Sequence, residues 1–495
     1  MKNRITISFI FFTICIGFFL NFSHYQNKVP KGCDEFGYLN LAKAFSENEA
    51  FSNIYEKPYF NQLIDTLRFE KFGELEFGFL LAPMSYYLKN KTYEVINMYN
   101  PGTSFVLSWF PINVRGYLFS LIAILIFASI LFIYTKNNTP FNWADLLFIV
   151  VILLMFLPFS PIRTEYTRIN SLALTFGILA IAGYFIPTKP IISIALIGIS
   201  ANFRLGNLLI LLPIIFFIKW PNKIGVVKFI VFSLISLLVL IVSISPYMLY
   251  SYKLFNNPFS STYSEIDTAM GNKPLDNLSV YINFEQLWFV YHLLVSLILI
   301  YLTYIRKISA LQCLSCFSFA IINYVFYIFK NITMNYYPYA SLFILIGICL
   351  YFLNTIEVSN KIDKIIKTVV IVSSLVILIF GFIEFKKFSY PNYIEQTESY
   401  RSFLCKYEVI WGGDYAGTTQ YICNNKGFMY VRGSNRARIL SMKFLLNKKI
   451  SQIILIDDIS MPKAMIIEEL INNKIPYSLK KNNILGNYLT LGNGF

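Results

Sequence analysis

Charged side chains that could carry out group-transfer chemistry are gathered at a few places in this chain. They lie beside long apolar runs, where a charge costs about 2.5 to 3.5 kcal/mol at the centre of a membrane helix. A carboxylate there can act as a general base, and guanidinium or ammonium groups can bind a phosphate and stabilise a leaving group. A plainer interpretation is that the arginines pair with a nearby carboxylate or extend to lipid headgroups. The residues concerned are Asp34, Glu35, Arg163, Glu165, Arg168, Arg204 and Lys330.

The composition excludes an ordinary soluble globule. Of 495 residues, 56% are apolar or aromatic and only 14% are charged, against about 25% charged in soluble domains. The excess apolar surface must face lipid. The net charge of +15 is spread between the apolar runs, which indicates membrane topology and no nucleic-acid partner.

The apolar runs have the length of membrane spans, which need roughly 20 residues each. The positive-inside rule favours an interruption near Arg204, with the N-terminus in the cytoplasm and the C-terminus outside. The sequence therefore predicts an α-helical polytopic membrane protein of about eleven transmembrane helices. The predicted spans are 5–20, 117–134, 144–160, 171–187, two within 191–218, 229–248, 287–305, 308–329, 338–353 and 366–383.

Two regions lie outside the predicted spans. Residues 1–385 are predicted as the membrane domain, with an outer loop at 21–116 that holds two interfacial helices, FGFLLAPMSYYL and GTSFVLSWFP. Residues 386–495 are more polar and alternate strand patterns with helix patterns. That alternation predicts a small C-terminal α/β extracytoplasmic domain.

Two other features are open to more than one interpretation. The first apolar run could be a cleaved signal peptide instead of a span. Cys405 and Cys423 could form a disulfide if the C-terminal region is exported. His24 and His292 are the two histidines, so a histidine-based metal site is not expected, and His292 is predicted to be a packed, hydrogen-bonded side chain.

The predicted topology places the charged residues near the outer face. Nucleotide sugars are not expected outside the cell, so group transfer there needs an activated donor carried by the membrane. A polyprenyl-phosphate sugar meets that requirement, with the cations at its phosphate and a carboxylate at the acceptor.

Several local strings resemble the GT-C superfamily of lipid-linked-sugar glycosyltransferases. The resemblance is strongest to its protein O-mannosyltransferases and aminoarabinose transferases of lipid A, and it covers roughly residues 5 to 350. Two departures are Asn100, where a second proline is usual, and the absence of an arginine beside Tyr336 and Tyr337. The strings are GCDEFGYLNLAKAF, YNPGTSFVLSWFP, RTEYTRINSLALTFGILAIAGYF, SPYMLYSYKLFNNPFSSTY and KNITMNYYPYASLFIL.

The resemblance implies an inverting transfer from a polyprenyl-phosphate sugar to an envelope glycan, lipid or protein at the outer face of the cytoplasmic membrane. It implies that Asp34 is the general base, with Glu35 as its neighbour, and that Glu165 orients the acceptor or a possible divalent cation. The donor phosphate would be bound by the cations, and three tyrosines would line the pocket. These residues are Arg163, Arg168, Arg204 and Lys330 for the phosphate and Tyr38, Tyr336 and Tyr337 for the pocket.

Other functions of lipid-linked saccharides remain open. A flippase or transporter would explain the spans and cations, and an O-antigen polymerase or ligase uses similar substrates. VIWGGDYAG is similar to the Trp-Trp-Asp-Tyr-Gly signature of oligosaccharyltransferases, although the first loop has CDEFG where those enzymes have Asp-x-Asp. Residues 411–417 could equally be a strand end followed by a glycine turn.

Overall fold

The computed structural model divides into two compact units. The helical unit takes its described residues from 100–103 and 114–389, and the α/β unit takes them from 27–99, 104–113 and 390–495. The described residues are 32–48, 58–72, 74–81, 86–88, 95–135, 152, 155, 160–166, 168–214, 225–260, 274–329, 337–353, 401–412, 422–423, 427–430, 434–454, 463–482 and 486–492.

The first part of the chain forms short helices and a small hairpin. Strands β1 and β2 pair antiparallel, with Tyr87 opposite Ile96. The elements are α1 (Gly32–Ser46), α2 (Pro58–Phe69), α3 (Glu74–Leu81), β1 (Tyr86–Leu88), β2 (Val95–Asn97) and α4 (Pro101–Ser108).

The described parts of the middle of the chain are mostly helical. The helices are α5 (Arg115–Thr135), α6 (Pro161–Tyr166), α7 (Ala173–Phe185), α8 (Pro190–Ala201), α9 (Leu211–Ile214), α10 (Val226–Phe255), α11 (Pro274–Tyr281), α12 (Leu287–Tyr304), α13 (Ala310–Phe329) and α14 (Tyr339–Leu353), with 3-10 turns at Ile112–Val114 and Leu205–Ile210.

Within the described residues, three helices are long and apolar enough to cross a membrane: α10, α12 and α13. Shorter apolar stretches lie in α5, α7, α8 and α14 and at 205–214. The predicted spans at 5–20 and 366–383, and nearly all of 144–160, lie outside the described residues. The structure therefore supports a membrane protein, while about eleven spans stays a prediction.

The interruption predicted near Arg204 is present. Helix α8 ends at Ala201, and the chain turns through residues 202–204 before the 3-10 turn that begins at Leu205. A hydrogen bond from the Arg204 N–H to the Ser200 carbonyl closes this turn. The turn therefore places the Arg204 side chain between two short helical segments.

Helices α7 and α14 form a close helix contact. A Cβ atom at Gly183 would lie 2.1 Å from the Ile344 carbonyl oxygen, and one at Gly347 would lie 2.0 Å from the Ala180 oxygen. Glycine at both positions lets the two backbones approach each other. Phe176 of α7 also stacks on Phe343 of α14, with ring centroids 4.2 Å apart.

The C-terminal region supplies a mixed five-stranded sheet with order β4-β3-β5-β7-β6. Strand β3 pairs parallel with β4 and with β5, whereas β7 pairs antiparallel with β5 and with β6. The predicted alternation of strand and helix is present in this region. The elements are β3 (Val409–Gly412), β4 (Gly427–Tyr430), α15 (Asn435–Asn447), β5 (Gln452–Ile454), α16 (Lys463–Asn472), β6 (Tyr477–Asn482) and β7 (Gly486–Leu491).

The α/β unit has one hydrophobic core built from both ends of the chain. Phe60 of α2 and Phe77 of α3 belong to the same buried cluster as Trp411 and Leu445. The predicted division at residue 385 differs from this arrangement, because it grouped the first loop with the membrane helices. The apolar residues of α2 and α3 pack in one core with those of the C-terminal sheet, so protein covers them.

The two predicted interfacial segments have different environments. FGFLLAPMSYYL is not a single helix at a lipid surface: it contains the end of α3 and strand β1, and Phe77 and Leu80 are fully buried. The second segment contains α4, and its aromatic side chains are exposed, with 47% exposure for Phe105 and 65% for Trp109. The second segment alone retains the exposed apolar surface that an interfacial helix needs.

Two side-chain links stabilise the C-terminal region. Cys405 and Cys423 form a disulfide, as the sequence allowed. Arg438 is fully buried and its Nε donates to Glu469 Oε2 over 2.9 Å. Removing either partner of such a buried pair would leave an uncompensated charge.

Candidate functional site

Asp34 lies in the first turn of α1, in the α/β unit. A carboxylate is favoured there because the helix N-terminus presents unpaired N–H groups and a partial positive charge. The side chain of Asp34 is exposed, whereas the adjacent Glu35 is buried with 5% exposure. Of the two predicted acids, Asp34 is therefore the one that a substrate can reach.

The Tyr99 hydroxyl donates a hydrogen bond to Asp34 Oδ1. The Tyr99 ring stacks on the Tyr38 ring, with centroids 4.4 Å apart and an angle of 22° between the rings. Both tyrosines are buried beside the exposed carboxylate. The stacked rings hold Tyr99 in place, and its hydroxyl fixes the position of Asp34 Oδ1.

Asn97 at the end of β2 explains how Tyr99 reaches Asp34. Asn97 Nδ2 donates to the Gly37 carbonyl of α1 over 2.7 Å, and its Oδ1 accepts the N–H of Tyr99 over 2.9 Å. Ser104 Oγ also donates to the Tyr38 carbonyl over 3.0 Å. These bonds connect α1 to the segment after the hairpin and so determine the position of the Tyr99 hydroxyl.

Arg204 lies in the helical unit among aromatic rings. Its guanidinium carbon is 4.4 Å from the centroid of the Tyr337 ring and 5.9 Å from that of Tyr339. Cation–π contacts of this kind orient a guanidinium without neutralising its charge. The structure thus brings together two of the predicted site residues, Arg204 and Tyr337.

Further tyrosines lie close to Arg204. Tyr339 donates to Asn207 Oδ1 over 2.6 Å, and the Tyr327 and Tyr337 rings are 5.0 Å apart. Burial raises the pKa of Tyr281, the nearby Tyr337 hydroxyl raises it further, and the Arg204 guanidinium lowers it. The Tyr281 hydroxyl therefore stays protonated and can serve as a neutral hydrogen-bond donor. We call Arg204, Tyr281, Tyr327, Tyr337 and Tyr339 the arginine–tyrosine cluster.

Glu165 takes part in a helix-capping arrangement. Asn170 Nδ2 donates to Glu165 Oε2 over 2.8 Å, and Asn170 Oδ1 accepts the N–H groups of Leu172 and Ala173 at the start of α7. The hydrogen bond from Asn170 therefore orients the Glu165 carboxylate. Arg168 is exposed, and Arg163 lies within α6, but its side chain is outside the described residues.

Some of the predicted site residues lie outside the described part of the chain. Lys330 and Tyr336 lie outside the described residues, as does the part of VIWGGDYAG after Gly412. No group of three or more His, Cys, Asp or Glu suited to a metal was found in the described part of the chain. The predicted divalent cation therefore stays a prediction.

His292 is buried and hydrogen-bonded, as predicted. Its ring nitrogens lie 2.9 Å from the Trp288 carbonyl and 3.0 Å from Ser341 Oγ, and the Tyr324 hydroxyl is 3.2 Å from Nδ1. These partners account for its position inside α12. The histidine therefore has a packing role in the helical unit.

Sequence reasoning missed Tyr99, Asn97 and most of the tyrosines around Arg204. Tyr99 stands directly before the Asn100-Pro101-Gly102 element that supports the family resemblance, so its position was marked in the sequence. Its partner is 65 residues away, and no local pattern indicates such a contact.

The chain matches no protein-family model, no curated protein and no solved structure. The resemblance to GT-C glycosyltransferases therefore depends on the strings quoted above. The function is accordingly proposed from the chemistry of the two sites.

Proposed function

We propose that this chain is an integral membrane glycosyltransferase that moves a sugar from a polyprenyl-phosphate carrier to an envelope glycan, lipid or protein. The reaction takes place at the outer face of the cytoplasmic membrane. The observation that carries the proposal is the exposed Asp34 carboxylate, oriented by the Tyr99 hydroxyl at the start of α1.

Asp34 acts as the general base in this reaction. Tyr99 occupies Oδ1, so Oδ2 takes the proton from the acceptor hydroxyl. The acceptor oxygen then attacks the anomeric carbon from the face opposite the phosphate, and the bond between that carbon and the phosphate oxygen breaks. The phosphate leaves on its lipid with the bonding electron pair, and the configuration at carbon inverts.

Arg204 supplies charge for the leaving phosphate. A guanidinium binds phosphate through two parallel N–H bonds, and its stacking on Tyr337 limits the rotamers that must be ordered on binding. Arg163, Arg168 and Lys330 are further candidates for the same role, and Tyr38, Tyr336 and Tyr337 for the pocket.

The disulfide supports the extracytoplasmic placement of the α/β unit. Disulfides such as Cys405–Cys423 form and persist mainly in oxidising compartments. The base on α1 belongs to the same unit, which supports chemistry outside the cytoplasm. The N-terminus would then be cytoplasmic and the C-terminus extracytoplasmic.

The test compares envelope composition in cells with and without the gene. Deletion should remove the mass of one sugar residue from an envelope glycan, lipid or protein, measured by mass spectrometry. The wild-type chain should restore it and Asp34→Asn should restore at least ~100-fold less, since a general base contributes about 10² to 10⁴ in rate. Asp65→Asn, at an exposed acid of α2 in the same unit, is the matched control and should restore it fully.

Two outcomes would contradict the proposal. Full restoration by Asp34→Asn, at equal amounts of membrane protein, would exclude Asp34 as the base. A lipid-linked sugar that accumulates on the cytosolic leaflet after deletion, with its restoration independent of Asp34, would indicate a flippase instead.

Replacing Tyr99 by Phe tests the orientation of the base. The variant keeps the ring that stacks on Tyr38 but loses the hydrogen bond to Asp34. Hydrogen bonds to charged groups contribute about 1.5 to 3 kcal/mol, so we expect initial transfer to fall roughly tenfold in the same mass-spectrometric assay. A rate equal to wild type would show that the hydroxyl does not orient the base.

A further inference from the structure

Helix α10 contains a proline in its interior. Pro246 has no N–H with which to bond the Val242 carbonyl one turn earlier. The hydroxyl of Ser245 donates to that carbonyl over 2.8 Å, so the acceptor left by the proline has a partner. The next backbone pair along the helix, the Tyr247 N–H and the Ser243 carbonyl, bonds instead to Asn202, from another part of the chain.

The side-chain amide of Asn202 bonds both members of the following backbone pair. In a regular helix the Tyr247 N–H would bond the Ser243 carbonyl. Here Asn202 Oδ1 accepts the Tyr247 N–H over 2.8 Å, and Asn202 Nδ2 donates to the Ser243 carbonyl over 2.8 Å. The Asn202 amide therefore replaces one backbone hydrogen bond of α10.

Both the oxygen and the nitrogen of the Asn202 amide have hydrogen-bond partners. Besides Ser243, its Nδ2 lies 3.2 Å from the Gly198 carbonyl and 3.1 Å from the Ile199 carbonyl of its own helix. The orientation of the amide is fixed, because a backbone N–H can only donate and a carbonyl can only accept. No other natural side chain of this size offers both groups in this arrangement.

Asn202 also connects this point of α10 to the residues around Arg204. It lies two residues before Arg204, at the end of α8. Its main-chain carbonyl accepts the N–H of Gly102, at the start of α4, over 3.0 Å. One residue thus joins α10, the turn that carries Arg204, and the Pro-Gly element.

We propose that Asn202 is a positioning residue that clamps the proline-interrupted α10 to the turn carrying Arg204. This inference rests on the proposed binding of the donor phosphate by Arg204. The hydrogen bonds of Asn202 fix the position of the Arg204 backbone relative to α10. The guanidinium is therefore already oriented when the phosphate binds. Pro246 contributes to this arrangement, because it interrupts the backbone hydrogen bonds of α10 and so makes the helix depend on the side-chain amide of Asn202.

A double-mutant cycle tests the clamp without reference to catalysis. The full chain is purified in lipid nanodiscs, and melting temperatures are measured for wild type, Asn202→Ala, Pro246→Ala and the double variant. Asn202→Ala should lower the melting temperature by roughly 4 to 8 °C. In the Pro246→Ala background the shift should be much smaller, since an alanine in place of the proline permits α10 to complete its own ladder.

The control for the cycle is Asn473→Ala, whose amide donates to the Glu469 carbonyl of α16 in the α/β unit. Its shift should be equal in both backgrounds. An equal shift for Asn202→Ala in both backgrounds would overturn the clamp. If Asn202→Ala alone does not yield folded protein, recovery of a monodisperse peak by adding Pro246→Ala supports the clamp, and lack of recovery refutes it.

A binding measurement tests the positioning role. The probes are undecaprenyl phosphate and undecaprenol. The observable is the phosphate preference, which is the dissociation constant of undecaprenol divided by that of undecaprenyl phosphate, measured well below the melting temperature. Arg204→Ala should reduce this ratio, and Asn202→Ala or Asn202→Asp should reduce it roughly tenfold, or ~1.4 kcal/mol. A structural role alone would lower the folded fraction and leave the ratio unchanged.

The arms separate the two proposals. If Arg204→Ala weakens phosphate preference and the Asn202 variants do not, the positioning role is wrong and the proposed phosphate site stands. If Arg204→Ala leaves the preference unchanged, the phosphate site is wrong and the positioning role is wrong with it, whatever the cycle gives.

Discussion

Helices α10 and α14 are both strongly apolar, yet they have opposite surroundings. None of the residues in the most apolar 18-residue stretch of α10 is buried within the protein, whereas nearly every residue of α14 is buried. Apolar character is therefore common to a helix that faces outward and one that is packed on all sides. One difference is that α14 has a glycine, Gly347, where it meets the backbone of α7.

Helix α14 is packed through residues that allow close approach. Gly347 admits the backbone of α7, and Phe343 fills the space beside Phe176. Helix α10 instead presents large side chains along its exposed face, with 62% exposure for Leu238. Small residues at a helix face mark helix contacts in membranes, and large ones are typical of lipid-facing surface.

The largest effect should come from filling the α7 and α14 contact. Gly347→Leu would place side-chain atoms inside the backbone of α7, since even a Cβ would lie 2.0 Å from the Ala180 oxygen. Overpacking costs typically about 1 to 3 kcal/mol and occasionally more, and here the neighbouring atoms belong to the backbone, which cannot rotate away as a side chain can. We expect no monodisperse folded protein by size-exclusion chromatography in detergent. Gly225→Leu, where a Cβ meets nothing within 4 Å, is the control and should purify normally.

A matched pair of phenylalanines should give the next largest difference. Phe343 of α14 is fully buried, while Phe229 of α10 has 42% exposure. Phe343→Ala should cost about 3 to 5 kcal/mol because it leaves a cavity among packed rings, and Phe229→Ala should cost under ~1 kcal/mol. Melting temperatures in nanodiscs measure both. Equal shifts would contradict the contrast between the two helices.

Local patterns predicted much of the fold. Helices α5, α7, α10, α12, α13 and α14 overlap the predicted apolar segments, because a long apolar run must satisfy its backbone groups internally. The turn before Leu205 was predicted because the positive-inside count over the short loops favoured two helices within 191–218, joined around Arg204. The C-terminal strands and helices followed from their alternation of period.

Pairings between distant segments could not be predicted in this way. The core that joins Phe77 to Trp411 depends on contacts between the two ends of the chain, and short amphipathic helices look alike whether lipid or protein covers them. The same limit applies to the candidate site. Asp34 was found as an acid beside an apolar run, but its contact with Tyr99 depends on the folding of the β1 and β2 hairpin and on Asn97.

The smallest expected effect tests what covers the outward face of α10. Leu238→Lys places a charge near the middle of this helix, which costs about 2.5 to 3.5 kcal/mol if lipid surrounds it. Val226→Lys, at the first residue of α10 with 74% exposure, should cost close to nothing because the ammonium can reach the headgroups. The amount of each variant recovered in membranes and its melting temperature in nanodiscs give the comparison. Equal values for the two lysine variants would mean that water or a polar partner, and not lipid, covers the exposed face of α10. The difference between α10 and α14 would then not be one of lipid exposure against burial in protein.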